Sequence, residues 1–396
     1  MANIHDYIKS YGSVSFNDMP FGEADNVALC EIFYLQLEKI VPASLDDEPR
    51  DFADVCKEFY ELNGCKHHAV GLVLPKQISV LLQEMAKYKR FQEMKIVGCT
   101  ETFSVEPAVQ FAAATFILPD DTKVVMFRGT DDTLIGWKED LDLYVKKGIP
   151  SHQLAVDYLE TVAEKFGGNI IVCGHSKGGN VALYGALGCS EKVRSRITAL
   201  YNNDGPGFDN YSIFRTKAYQ ELLPKYHHIV PNSSFIGMLL AHDDDYSVIR
   251  STRLFGPMQH DLATWKFNGS ELQTADDLSV LGKLNDLCLN KIIFNVNEEQ
   301  SKSFDVVAKK LIAGTGQICL LGFAKNAVSS VRGAVRSWKE IDKDTRDTFA
   351  GAFKKSPEYL KEAVATVIKE SKQEKELAKE PEAEQLHAVK AETVPA

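Results

Sequence analysis

The stretch Ile170-Ile-Val-Cys-Gly-His-Ser-Lys-Gly-Gly179 constrains this chain more than any other. An apolar, β-branched run passes directly into Gly174-His-Ser176-Lys-Gly178, the pattern of a buried strand turning sharply into a helix with Ser176 at the apex. Glycine stands two residues to either side of the serine, where a side chain in so crowded a turn would collide. Asn180 to Leu187 continue as a compact helix whose small residues allow close packing on a sheet. Its N-terminus favours negative charge developing beside Ser176. A hydroxyl displayed in this way is a candidate nucleophile.

Strand and helix alternate around that turn. Residues 112–118 and 123–127 flank a Pro119-Asp-Asp turn and predict a hairpin feeding a central strand. Apolar positions from Leu154 to Phe166 recur on one helical face between Gly148 and Gly168. Residues 197–201, 228–230 and 246–250 read as further short strands, each followed by a loop. The economical fold class is α/β: an α/β-hydrolase fold whose mostly parallel central sheet is flanked by helices, with helical N-terminal and C-terminal extensions. Residues 1–110 are expected to be a mostly helical region packed on one side of the core, with helices over 25–38, 51–62 and 78–88. Residues 111–270 form the α/β-hydrolase core and 271–368 a helical C-terminal region. The stretch 311–335 is apolar but interrupted by lysine, arginine and glycine, which fits a packing or interfacial helix. The charged, alanine-rich tail 369–396 predicts a frayed helix passing into disorder.

Composition excludes several functions. A formal net charge of -10 with no basic block argues against nucleic acid as a partner. The N-terminus lacks the basic and apolar regions of a signal peptide, and no apolar run reaches spanning length, so cytoplasmic residence is expected, with transient contact to a membrane surface still allowed. The 8 cysteines are scattered without CxxC pairs and read as free thiols in a reducing compartment. Ligand spacing for structural zinc is absent, and Cys65 with His67-His68 reads as ordinary surface, so no metal or other cofactor is expected. Oligomeric state is not readable from the sequence.

A serine hydroxyl is a weak nucleophile and needs a base, an orienting acid and oxyanion donors. In the chain order of α/β-hydrolases, acid and base follow the serine in loops after later strands. His260 lies in the loop after the last predicted strand, whereas His242 precedes that strand. Asp204, in a Gly-Pro-Gly turn after the strand that follows the serine helix, is the favoured acid, with Asp243, Asp244 and Asp245 as rivals and Asp245 foremost among them. The backbone N–H of Lys177 and the Gly129-Thr130 loop, by backbone N–H and hydroxyl, are the expected oxyanion donors. An Arg128–Asp140 ion pair is expected to tie that loop down, and the Lys177 side chain to point away from the serine. Residues 20–110 and 208–245 supply apolar side chains for a substrate pocket.

These residues also carry a resemblance. Phe127-Arg-Gly-Thr130 followed by Trp137 and Asp140, then Gly-His-Ser-Lys-Gly-Gly, resembles the class 3 lipases. Within that group, Ile4-His-Asp-Tyr7, Asp204-Gly-Pro-Gly207 and Gln259-His-Asp261 with Trp265 look like a bacterial lipase-like family, a likeness that extends over roughly residues 1–270. The resemblance implies an α/β-hydrolase with Ser176 as nucleophile, His260 as base and Thr130 in the oxyanion hole. The chain departs from the class 3 pattern at His228, which stands where those lipases carry their acid before an Ile-Val-Pro segment, and at Lys177, where an apolar residue is usual. The expected activity is a serine esterase or lipase acting on a small-molecule or lipid ester through an acyl-enzyme on Ser176. The alternatives are a non-catalytic binding protein of the same fold and an amide or thioester hydrolase.

Overall fold

Eight strands build one sheet whose spatial order is the chain order: β1 Arg50–Asp51, β2 Lys95–Ser104, β3 Val109–Ile117, β4 Lys123–Phe127, β5 Ile170–His175, β6 Ile197–Asn203, β7 Tyr226–Pro231 and β8 Ser247–Ile249. The computed structural model describes residues 2–64, 78–131, 133–145, 148–243, 245–254, 256–317, 319 and 326–377. Strands β1 to β4 pair antiparallel and β4 to β8 pair parallel, which makes this an α/β protein with a mostly parallel sheet flanked by helices.

The two central strands show why both faces are covered. Side chains alternate across a strand. Val124 and Met126 of β4, with Ile171 and Cys173 of β5, pack into the core built with the N-terminal helices Ile4–Tyr11, Glu23–Ile32 and Phe52–Asn63. Val125 and Phe127, with Ile170 and Val172, pack on the other side against the helices Pro150–Lys165 and Lys177–Gly188. Such strands read as continuous apolar runs.

The N-terminal layer is locked by a buried bidentate pair. Arg90 donates Nε to Asp25 Oδ1 (2.7 Å) and Nη2 to Asp25 Oδ2 (2.6 Å), and the Tyr7 hydroxyl donates to Asp25 Oδ1 at 2.8 Å. Three helical segments far apart in sequence are thereby joined.

Two expectations for this region need correction. Residues 1–110 are not simply a helical layer, since β1 and β2 come from them and β2 pairs with β3, so the sheet crosses the expected boundary at 110. The helix expected over 25–38 covers Glu23–Ile32, and the chain then turns into a 3₁₀ segment, Leu37–Lys39. Beyond the sheet come a short hairpin at Phe267–Asn268 and Glu271–Leu272 and the helices Val280–Phe294, Glu298–Thr315, Ala327–Glu340, Lys343–Gly351 and Ser356–Leu377. The last of these carries helix into the expected tail; residues 378–396 lie outside those described, as do Cys65 and His67-His68. No helix among the described residues is long and apolar enough to cross a membrane.

Candidate functional site

Ser176 joins β5 to the helix Lys177–Gly188 with φ 58° and ψ -134°. Positive φ in a residue with a Cβ costs on the order of 1–3 kcal/mol and persists only where the surroundings enforce it. Here the Ser176 N–H donates to the Asn203 carbonyl at 3.0 Å. Asn203 is itself fixed, because Nδ2 donates to the Gly174 carbonyl (3.0 Å) while Asn26 and Asn203 exchange side-chain hydrogen bonds at 2.9 and 3.0 Å. A Cβ on Gly174 would lie 2.0 Å from the Gly178 carbonyl oxygen, and one on Gly178 would lie 2.2 Å from that of Phe127. The turn therefore closes only with glycine at both positions.

His260 follows the short helical turn Gly256–Gln259, and its Nδ1 lies 2.6 Å from Asp204 Oδ2. Asp204, at the end of β6 with φ 50°, is fully buried. Its Oδ1 accepts from the Ser234 hydroxyl (2.5 Å) and from the Gly237 N–H (3.1 Å). With Nδ1–H donating to this carboxylate, Nε2 of His260 keeps its lone pair, and Nε2 makes no hydrogen bond to a described group. One rival is engaged elsewhere. Asp243 accepts from the Tyr219 hydroxyl and from the Asp245 N–H, Asp245 is exposed, and Asp244 lies outside the described residues.

A second histidine, which sequence reasoning passed over, supports the first. The His175 ring centroid lies 4.4 Å from that of His260, and Nε2 of His175 is 2.9 Å from the His260 carbonyl. A carbonyl only accepts, so Nε2 carries the proton and Nδ1 accepts from the Tyr34 hydroxyl at 2.8 Å. Burial, reinforced by His260, holds the His175 imidazole well below its ordinary pKa and so neutral. His228 is also buried, and burial lowers it to about 3.

Thr130 and Lys177 border the same cavity as Ser176 and His260. The Thr130 hydroxyl is turned to Asp140, with Oγ1 2.6 and 2.7 Å from the two carboxylate oxygens. Burial raises Asp140 to about 6, so above that pH the hydroxyl proton is committed to the carboxylate and the Thr130 backbone N–H is the donor left for a ligand. The expected Arg128–Asp140 pair does not form; Arg128 reaches Glu101 and, at 3.6 Å, Glu38. Lys177 sends its ammonium away from the serine, to Glu139 Oε2 (2.6 Å), the Gln110 carbonyl (2.6 Å) and Gln110 Oε1 (2.9 Å). Its backbone N–H, at the first position of the helix, makes no hydrogen bond to a described group and is available at the cavity.

The cavity holds about 350 Å³. The regions expected to wall it contribute Tyr34, Phe235, Ile236 and Leu239, while Trp137 and Tyr144 come from the helix Leu134–Val145, which the expected wall did not include.

The helix after the serine is tied to the rest of the site by His152. Asn180 Nδ2 donates to the Gly207 carbonyl (2.7 Å), so its Oδ1 accepts from His152 Nε2–H at 2.7 Å, and the His152 ring stacks on Tyr184 at 4.0 Å. Burial lowers His152 from 6.5 to about 4. The native state therefore binds fewer protons than the unfolded chain between those values, and stability present above pH 6.5 is lost as pH falls toward 4. At pH 5 the loss from this one group is about 2 kcal/mol. Asp140, raised in the folded state, acts with the opposite sign between pH 6 and 4, so the two are separated by mutation. Urea unfolding of His152→Gln is expected to show a smaller decline between pH 7 and pH 5 than the parent chain; an unchanged decline would sink the assignment.

The fold and site thus define an α/β protein that presents a strained serine and a histidine–aspartate pair beside one cavity. The chain belongs to the Mbeg1-like family, whose model matches residues 85–307, more than half of its length and the part that holds every one of these groups. No curated protein matches it, and no solved structure does.

Proposed function

We propose that this protein is a serine hydrolase of carboxylic esters with an α/β-hydrolase fold related to the class 3 lipases, working in the cytoplasm without a cofactor. The observation that carries the reading is the buried Asp204 carboxylate 2.6 Å from His260 Nδ1, in a histidine that shares its cavity with a serine held at positive φ. In this reading Nε2 of His260 takes the proton of Ser176 Oγ as the hydroxyl oxygen attacks the ester carbonyl. Asp204 holds the ring in the tautomer that can accept and stabilises the imidazolium that results. The backbone N–H groups of Lys177 and Thr130 receive the oxyanion, and the positive end of the helix Lys177–Gly188 adds to their field. Collapse of the tetrahedral intermediate expels the alcohol, which takes the proton from His260. Water, activated by the same histidine, then hydrolyses the acyl-serine. The largely apolar cavity suits an ester of small or lipid character.

A fluorophosphonate probe tests this without a choice of substrate, since labelling needs only an activated serine. Ser176 is expected to be labelled in the parent chain, with no label in Ser176→Ala. p-Nitrophenyl esters of graded chain length are expected to follow the same pattern, and a parent chain that takes no label at Ser176 overturns the proposal.

A further inference from the structure

Glu31 lies on the helix Glu23–Ile32, whose neighbours Val27, Ala28 and Ile32 are wholly buried in the core. The residue borders the cavity of Ser176 and His260 and is only 4% exposed, and its carboxyl oxygens accept no hydrogen bond from a described residue. A carboxyl removed from water with no donor is costly unless something supplies one. Asp261, next to His260 in the chain, borders the same cavity. One of its oxygens accepts the Ala263 N–H at 3.0 Å. Burial first, and then the Asp261 charge, push the Glu31 carboxyl well above the usual carboxylate range, and burial raises Asp261 as well. A third carboxylate on the lining, Asp140, is occupied by Thr130. The lysine on the lining, Lys177, has its ammonium committed to Glu139 and Gln110. Carboxyl groups thus gather on the lining of one cavity; Lys177 is spent elsewhere, and Arg253 offsets Asp261 in part. The aromatic side chains Tyr34, Trp137 and Tyr144 share that lining, and aromatic faces attract cations.

We propose that Glu31, with Asp261 beside it, is the recognition site for a positively charged ammonium group of the substrate, so that the preferred ester carries such a group within reach of its carbonyl. The cation provides the countercharge that Glu31 lacks in the protein. This rests on the hydrolase reading only in taking the ligand to be an ester, and binding is measured without turnover so that the two stand or fall separately.

The test uses the full chain carrying Ser176→Ala and two probes of nearly the same shape, butyrylcholine and its uncharged isostere 3,3-dimethylbutyl butyrate, titrated by calorimetry. Butyrylcholine is expected to bind more tightly by about tenfold, the scale of one partly desolvated charge pair. Adding Glu31→Gln is expected to remove that preference while leaving the affinity for the uncharged ester unchanged, which also reports that the cavity is intact; Asp261→Asn is expected to reduce the preference. Equal affinity for the two probes in the chain with Glu31 present, including no affinity for either, overturns the proposal. So does a preference that survives both Glu31→Gln and Asp261→Asn.

Discussion

Asp204→Asn is expected to lower turnover of a p-nitrophenyl ester by about 10⁴-fold while the chain stays folded. The size of the effect follows from how the carboxylate is held. Oδ1 accepts from the Ser234 hydroxyl and the Gly237 N–H, and the Gly237 N–H can only donate. In the asparagine variant the amide oxygen therefore keeps the Oδ1 position, and the NH₂ group takes the place of Oδ2, facing His260 Nδ1. Two donors cannot face each other. The imidazole must then present an unprotonated Nδ1 and carry its proton on Nε2, the tautomer that cannot accept from Ser176. The geometry survives and the base is lost. Asp245→Asn, at an exposed position, is expected to leave turnover unchanged. Full activity in Asp204→Asn, or a large loss in Asp245→Asn, would mean that the acid has been misassigned.

The serine turn was legible because several independent requirements fall on a few adjacent residues: a β-branched run, flanking glycines and a compact helix. The strands that position it were legible for a similar reason, since β4 and β5 are buried on both faces and so are apolar apart from Lys123 at the start of one and His175 at the end of the other. Strand β2 was not. Its first half is buried and its second half mostly exposed, and its register with β3 shifts between Val97 and Thr100, where Gly98 takes φ 64°. A bulge of this kind erases the two-residue alternation by which a strand is recognised. The pairing of Arg128 was misread because both acidic neighbours it uses, Glu38 and Glu101, stand distant in sequence, while Asp140 was nearer at hand. Glu31 was hidden for a different reason. It sits within a helix that is buried nearly all round, so its neighbours suggest core, and only the three-dimensional structure shows that it borders the cavity of Ser176 and His260.

The second large effect concerns Lys177, whose replacement by alanine is expected to destabilise the fold by about 3–5 kcal/mol in urea denaturation. Both Lys177 and Glu139 are almost wholly withdrawn from water, their side chains 2% and 0% exposed. All three ammonium protons are used, one on Glu139 and two on Gln110. Glu139 is saturated in turn: Oε2 also accepts the Gln110 N–H at 3.0 Å, and Oε1 accepts the Ser151 hydroxyl at 2.6 Å. Removing the lysine leaves a buried carboxylate whose charge nothing offsets, and that penalty dominates over the methylenes lost. The double variant Lys177→Met with Glu139→Gln is expected to lose much less than the sum of the two single losses, because the unpaired charge is gone with its partner. The pair also fastens the helix Leu134–Val145, which carries Asp140 and so fixes the Thr130 hydroxyl, to the first residue after Ser176. Lys177→Ala is therefore expected to lower turnover by loosening the oxyanion donors, with a rate that recovers in part in the double variant. A catalytic amine at this position predicts the reverse, with stability kept in the single variant and activity lost equally in both; that outcome would replace the clamp by a base.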